Sequence, residues 1–238
     1  VCRDRQKSGP PPLKTMASPV TALIIGCGNI GSALKAKLAA RNVGVRLASR
    51  SSDDVKLDLN SVESVLSLDT SFEPQSVDHV VVCTGTSTYG PLEKFDLASW
   101  EQNVCGKLLA VSRFVVLLSN ELKLLKDGGS ITITTGQAAT TINRLWPGLA
   151  TNNAGLNAFV MNAGLGLPRG LRLNACSPCL ITETAMKAGL PTAGSVRADD
   201  AAEAYMELLF GEETGEVRVV GEQVAFQREG LAKTNELA

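Results

Sequence analysis

Val20-Thr21-Ala22-Leu23-Ile24-Ile25 runs directly into Gly26-Cys27-Gly28-Asn29-Ile30-Gly31, and a helix-forming run follows to about Arg41. An apolar run of this length reads as a buried parallel strand. A glycine pattern set between such a strand and a helix is the context in which GxGxxG carries meaning. Gly26 allows the tight turn, Gly28 lets backbone approach a pyrophosphate, and Gly31 lets the helix pack on its strand. Asn29 and Ile30 open the helix. Its first amide groups, unpaired and at the positive end of the helix dipole, face the phosphates. The competing reading is a structural turn that binds nothing.

Working outward, strand and helix patterns alternate. A second strand is expected at Val45 to Ala48 and a short third including Val55 to Leu57. A brief helix over Asn60 to Leu68 is capped by Asn60 or Ser61. Val77 to Cys83 reads as a central parallel strand. A long helical region from about 97 to 125 follows, closed by Gly128-Gly129, and then a fifth strand over Ser130 to Thr134. Residues 151 to 166 read as a helix despite three glycines, which implies close packing there. Leu171 to Ala175, Ala198 to Phe210 and Glu216 to Val220 complete the pattern as strand, helix and strand. With no linker and no internal repeat, the expected architecture is an α/β fold of the Rossmann-like kind. It is a doubly wound parallel sheet in three αβα layers, formed by a single domain over residues 20–238.

The chain has 238 residues, 44% of them hydrophobic and 20% charged, with a net charge of -1. That balance speaks against a nucleic-acid surface. One histidine argues against a histidine-rich metal site, and no metal is expected. Cys176-Ser177-Pro178-Cys179 has CxxC spacing but lacks a second pair for zinc; reduced, buried thiols or a redox pair remain the alternatives. Scattered cysteines suit an intracellular, cytoplasmic protein. No run approaches the length of a membrane-spanning helix. The leader, residues 1–19, is basic and proline-rich and reads as a flexible tail: an extension, an expression scar, or an organelle-targeting remnant within residues 1–15, with Met16 as a possible start of the folded part.

The second strand ends at Ser49-Arg50-Ser51. An acidic residue here would meet a free ribose 2′-hydroxyl, whereas a guanidinium flanked by hydroxyls suits a 2′-phosphate. NADP is therefore expected over NAD, although Asp53 and Asp54 could restore NAD binding if the loop folds back. Asp58 either meets the adenine amino group or caps a turn. Thr84-Gly85-Thr86 ends the central strand, where backbone passes close to the cofactor riboses.

These segments resemble the short-chain dehydrogenase/reductase family over about residues 20 to 222. The resemblance also rests on Asn103-Val104-Cys105-Gly106, on Gly129 to Gly136 and on Leu171 to Pro178. It implies an NADP-dependent oxidoreductase fold and a tetrad of Asn, Ser, Tyr and Lys. In that tetrad Tyr donates a proton to a carbonyl and Lys lowers the tyrosine pKa and holds the nicotinamide ribose. Ser polarises the carbonyl, and Asn supports a water relay. The Asn position matches Asn103. The Ser position falls on Gly136, beside Thr135; the Tyr and Lys positions fall on Leu149 and Asn153. Leu149 has no proton to give, and Asn153 can bond a ribose hydroxyl but carries no charge. The resemblance further implies that Pro178, Ile181 and Thr182 form a loop over the nicotinamide. It also implies pairing of chains through the helices near 97–125 and 151–166, where Ala154, Gly155, Ala158 and Ala163 would serve either that contact or intrachain packing.

Substitute donors are Thr134, Thr135 and Gln137, with Thr135 favoured, and Tyr89 in the loop after the fourth strand. Each also reads as a residue satisfying local backbone. His79 lies at the wrong end of the sheet. Lys107, one turn after Asn103, is a candidate replacement charge, against the stronger reading of an exposed helix lysine. The expected function is a NADP(H)-binding protein that reduces a small carbonyl through a non-standard donor. The alternative is an inactive nucleotide-binding scaffold, sensor or subunit of an assembly or homo-oligomer.

Overall fold

A computed structural model describes residues 20–85 and 87–222. The leader, the residues after 222 and the reading of Thr86 lie outside them.

Seven strands form one sheet in the order β3-β2-β1-β4-β5-β6-β7, every neighbouring pair parallel. They are β1 (Thr21–Ile25), β2 (Gly44–Ser49), β3 (Val55–Lys56), β4 (Val77–Val82), β5 (Leu125–Thr134), β6 (Arg172–Pro178) and β7 (Val217–Val220). One face is covered by α1 (Asn29–Ala40) and α8 (Ala198–Phe210), which pack on each other. The other is covered by α2 (Val62–Leu66), α3 (Leu68–Ser71), α4 (Leu97–Val104), α5 (Ala110–Asn120) and α6 (Pro147–Ala163). The short α7 (Thr182–Lys187) follows β6. This is the expected doubly wound, three-layer α/β sheet.

Strand parity sorts the core into two halves. Leu23, Ile25, Val80, Val82, Ile131 and Ile133 face Phe114, Leu118, Leu156 and Val160. Ala22, Ile24 and Val81 face Leu34, Leu38, Tyr205 and Leu209. Burial on both faces explains the unbroken apolar runs of β1 and β4. The chain order reverses between β1 and β4, and in such sheets a ligand cleft forms at the carboxyl ends of the strands at that point.

The helix expected over 97–125 is shorter and interrupted. Asp96 caps α4 by accepting from the Ser99 amide (2.8 Å), and Ser99 Oγ in turn accepts from the Asp96 amide (3.1 Å). A π-helical turn, Cys105–Leu109, separates α4 from α5. The helix stops at Asn120 because the next residues join the sheet: Lys123 O accepts from Gln75 N (2.8 Å) and Leu124 O from Val77 N (3.0 Å). Strand β5 thus begins at Leu125. Gly128-Gly129 lies inside it rather than ahead of it, at a register shift opposite Val77 to His79. By length and composition alone, Leu97–Asn120 is long enough to cross a membrane and has an 18-residue window of mean hydropathy 1.2. Half of that stretch is buried inside the protein, the pattern of a core helix. Ser61, of the two candidates, caps α2, its hydroxyl accepting from Ser64 N at 3.1 Å. The helix expected over 151–166 starts earlier, with Pro147 in its first turn. A Cβ at Gly155 would come within 2.9 Å of Leu108 Cδ1, so that glycine serves packing within the chain.

Candidate functional site

The glycine turn sits where the strand order reverses. Gly26 has φ +100°, and a Cβ there would lie 3.0 Å from the Cys83 carbonyl oxygen. A Cβ at Gly31 would overlap the carbonyl oxygen of Gly26. Around Gly28, by contrast, no atom lies within 4 Å of a built Cβ, so the turn presents open space. Gly28 is the N-cap of α1 and no side chain caps the helix. Its first amides therefore keep their donors for a ligand. Asn29 Nδ2 donates to Thr184 Oγ1 (3.0 Å), joining the turn to α7. Ile30 packs partly buried beside Ile181, Val196 and Ala198.

At the end of β2, Arg50 is exposed and pairs with no acid among the described residues. Ser49 is half-buried and Ser51 exposed beside it. Asp54 is engaged elsewhere: it pairs with Arg46 (2.6 Å) and accepts from the Leu47 amide (2.8 Å). Those bonds hold its carboxyl below the usual range against the desolvation that raises it. Asp58 accepts from the Asn60 amide at 3.0 Å, a local turn at the end of β3.

The second half of the cleft is built by β4, β5, the π-helical turn and α6. Asn103 is 3% exposed; its Oδ1 accepts from the Thr88 amide (2.7 Å) and its Nδ2 is buried without a partner. A Cβ at Gly148 would come within 2.5 Å of that Nδ2, so α6 lies directly against Asn103. Asn152 Nδ2 donates to the Asn103 carbonyl (3.1 Å) and to Ser87 Oγ (3.0 Å). Asn153 is buried, and its Nδ2 lies 3.0 Å from a Cβ built at Gly136. Helix α6 therefore brings positions 148 and 153 to Asn103 and Gly136. Leu149, next to Gly148, is half-buried. Thr135 is 5% exposed, its amide donating to the Cys176 carbonyl (2.9 Å) while its hydroxyl has no partner.

Among the described residues, Asn103 Nδ2, Thr135 Oγ1, Asn152 Oδ1 and Asn153 Oδ1 are buried and unpaired on the elements that frame this side of the site. So are Arg113 Nε, Ser119 Oγ, Thr132 Oγ1 and Asn157 Oδ1 in other parts of the chain. Buried polar groups are normally satisfied. The first four fit a polar ligand with several hydroxyl or amide groups, as a dinucleotide has.

Other candidates fall outside this group. Strand parity turns Thr134 to the opposite layer, where its hydroxyl bonds Tyr205 (2.6 Å). Gln137 donates to Val220 O (2.9 Å) and Gly221 O (2.7 Å), tying β5 to the chain beyond β7. Tyr89 is 66% exposed in its loop. His79 bonds Ser130 (2.8 Å) and meets the Phe210 ring edge-on, so it belongs to the core. Pro178 and Ile181 are buried, Ile181 against Ala198 and Ala201. Thr182 bonds Ser195 (2.7 Å), and it is Thr184 whose hydroxyl faces the glycine turn. Sequence reasoning missed Thr184; the signal was a second threonine two residues on. Cys176 and Cys179 are both free and buried, and burial raises both thiols, Cys176 the more.

Lys107 corrects the sequence reading most sharply. It is 7% exposed, not a surface lysine. The π-helical turn widens the helix at that point, a feature frequent at functional sites. Burial lowers its ammonium pKa to about 8.

A glycine turn at the reversal of a doubly wound parallel sheet defines a protein of the dinucleotide-binding α/β class. Neither a family model nor a curated protein matches the sequence. Solved structures do. The protein lin1944 from Listeria innocua is 30% identical, with a TM-score of 0.75, over 84% of this chain and 99% of its own. A small-chain dehydrogenase solved in complex with NADPH is 23% identical, with a TM-score of 0.73, over 85% of this chain and 97% of its own. A short chain dehydrogenase family protein from Francisella tularensis is 17% identical, with a TM-score of 0.69, over 85% and 97%. The chain shares the fold of these short-chain dehydrogenase structures.

Proposed function

We propose that this protein binds NADP(H) along the cleft at the carboxyl ends of β2, β1, β4 and β5, and acts as an oxidoreductase on a small carbonyl compound. The observation that carries the reading is the pairing of an uncapped α1 above open space at Gly28 with an acid-free Arg50 one strand away. The amides of α1 and the turn would hold the pyrophosphate. Arg50, Ser49 and Ser51 would hold a 2′-phosphate, and engagement of Asp54 by Arg46 removes one of the two acidic rivals for a free ribose, while Asp53 stays exposed. The structural relative solved with NADPH supports this choice over NAD.

NADPH, when bound, supplies a hydride. The chain must then bind the substrate oxygen and stabilise the charge developing on it. Thr135 Oγ is buried, unpaired and next to position 136, and is the hydroxyl best suited to donate to that oxygen. Asn103 orients its surroundings, its carbonyl held by Asn152. Leu149 offers no proton, so the proton relay differs from the tyrosine-based one implied by the family resemblance. A second reading, a nucleotide-binding scaffold or assembly subunit without turnover, is favoured by that same residue. Loss of NADPH absorbance with a panel of small aldehydes and ketones separates the two. The enzyme reading expects turnover by the wild type that Thr135→Val abolishes; no turnover with any carbonyl, while NADPH still binds, selects the scaffold.

A further inference from the structure

Lys107 stands apart from every other lysine described. Its side-chain stem lies across the backbone of Gly85, where φ is +141° and a Cβ would come within 2.8 Å of Lys107 Cγ. Nothing larger than glycine would leave room for it at the end of β4. The residue is buried, and no carboxylate or hydrogen-bond acceptor pairs with its ammonium among the described residues. Helix α6, which packs on the π-helical turn, has no ionisable side chain, Glu101 of α4 is exposed, and Arg113 of α5 turns away to donate to the Leu59 carbonyl. A buried cation is costly unless it meets an anion or several oxygens. Asn103 precedes it by one turn, and α6, which carries Asn152 and Asn153 with their orphaned polar atoms, packs on the same π-helical turn.

Sheet order tells which part of a dinucleotide this is. Crossing from β2 through β1 to β4 leads from Arg50, past the glycine turn, to Gly85. If Arg50 meets the 2′-phosphate and the turn meets the pyrophosphate, the far half of the molecule lies at Lys107. Resting on the nucleotide reading above, we propose that Lys107 is the lysine of this site, entering from the turn between α4 and α5. Its ammonium bonds the hydroxyl oxygens of the nicotinamide half, where position 153 of α6 offers an uncharged amide.

Calorimetry of wild type and Lys107→Met with NADPH, and with 2′,5′-ADP, which lacks the nicotinamide half, tests this. The expected result is an NADPH affinity about tenfold or more weaker in the variant, the size of a lost charge-assisted bond, with 2′,5′-ADP affinity unchanged within about twofold. A variant that binds NADPH as wild type does, or weakens on both ligands alike, overturns the proposal. If wild type binds neither ligand, the nucleotide reading falls with it, an outcome distinct from the first. Should Lys107→Met not fold, amine labelling of the wild type gives the answer. NADPH, and not 2′,5′-ADP, is expected to protect Lys107; equal labelling with either overturns the assignment.

Discussion

Arg50 and Asp54 stand four residues apart at the end of β2, yet only Asp54 is spoken for: it closes back on Arg46 at 2.6 Å and on the Leu47 amide, leaving Arg50 without an acid partner among the described residues. The loop thus presents a cation and ties Asp54 back to β2, while Asp53 stays exposed. For Arg50→Ala we predict NADPH affinity about 10- to 100-fold lower and NADH affinity unchanged, the range expected for losing charge-assisted bonds to a phosphate. Titrations of both nucleotides against the variant check it; equal losses for the two would place Arg50 outside the 2′-phosphate site.

The glycines of the turn should separate by role. Gly28→Val adds a side chain into open space and should leave urea stability within about 0.5 kcal/mol of wild type, since surface changes rarely exceed that. The same side chain should abolish nucleotide binding. Gly31→Val drives a side chain into the Gly26 carbonyl and should cost about 3 kcal/mol or more, beyond ordinary overpacking.

Half-buried Thr134 and buried Tyr205 form a hydrogen-bonded pair on the opposite layer of the sheet. Tyr205→Phe and Thr134→Val should each cost about 1–2 kcal/mol, and the double variant less than their sum, because no partner is then left unsatisfied. Urea unfolding measures all three. Carbonyl turnover should be unchanged in Thr134→Val, in contrast to Thr135→Val.

His79 gives a pH signature. Burial, the largest cause, lowers its pKa from 6.5 to about 4. Below pH 6.5 the unfolded chain takes up a proton that the folded chain refuses until about pH 4. The unfolded state therefore binds more protons in that window, and stability falls as pH drops from 6.5 to 4. The full loss is on the order of 3 kcal/mol. His79→Gln should flatten the curve over that window; an unchanged slope would show that carboxylates alone set it.

Much of this fold is legible in short-range pattern. The apolar runs at Val20 to Ile25 and Val77 to Cys83, and the glycines between strand and helix, announce the sheet and its cleft because those signals lie within a few residues. What is illegible depends on distant partners. Lys107 looks like a surface lysine until Gly85 of another strand makes room for its stem. Leu122 to Leu125 continue an apolar helical pattern, and only the amides of Gln75 and Val77 draw them into the sheet. The site shows the same divide. Asn103, Thr135 and Asn153 stand out in the sequence by position, and each keeps a buried atom without a partner among the described residues. The hydroxyl facing the glycine turn belongs to Thr184 and not Thr182, a choice set by how α7 leaves β6.

The central claim is a nucleotide cleft selective for the 2′-phosphate. Calorimetric titration of the wild-type protein with NADPH and NADH at matched salt tests it most directly. The account predicts one NADPH per chain, bound at least about tenfold more tightly than NADH. Failure of both nucleotides to bind would contradict it and leave a protein that keeps the fold without the cofactor.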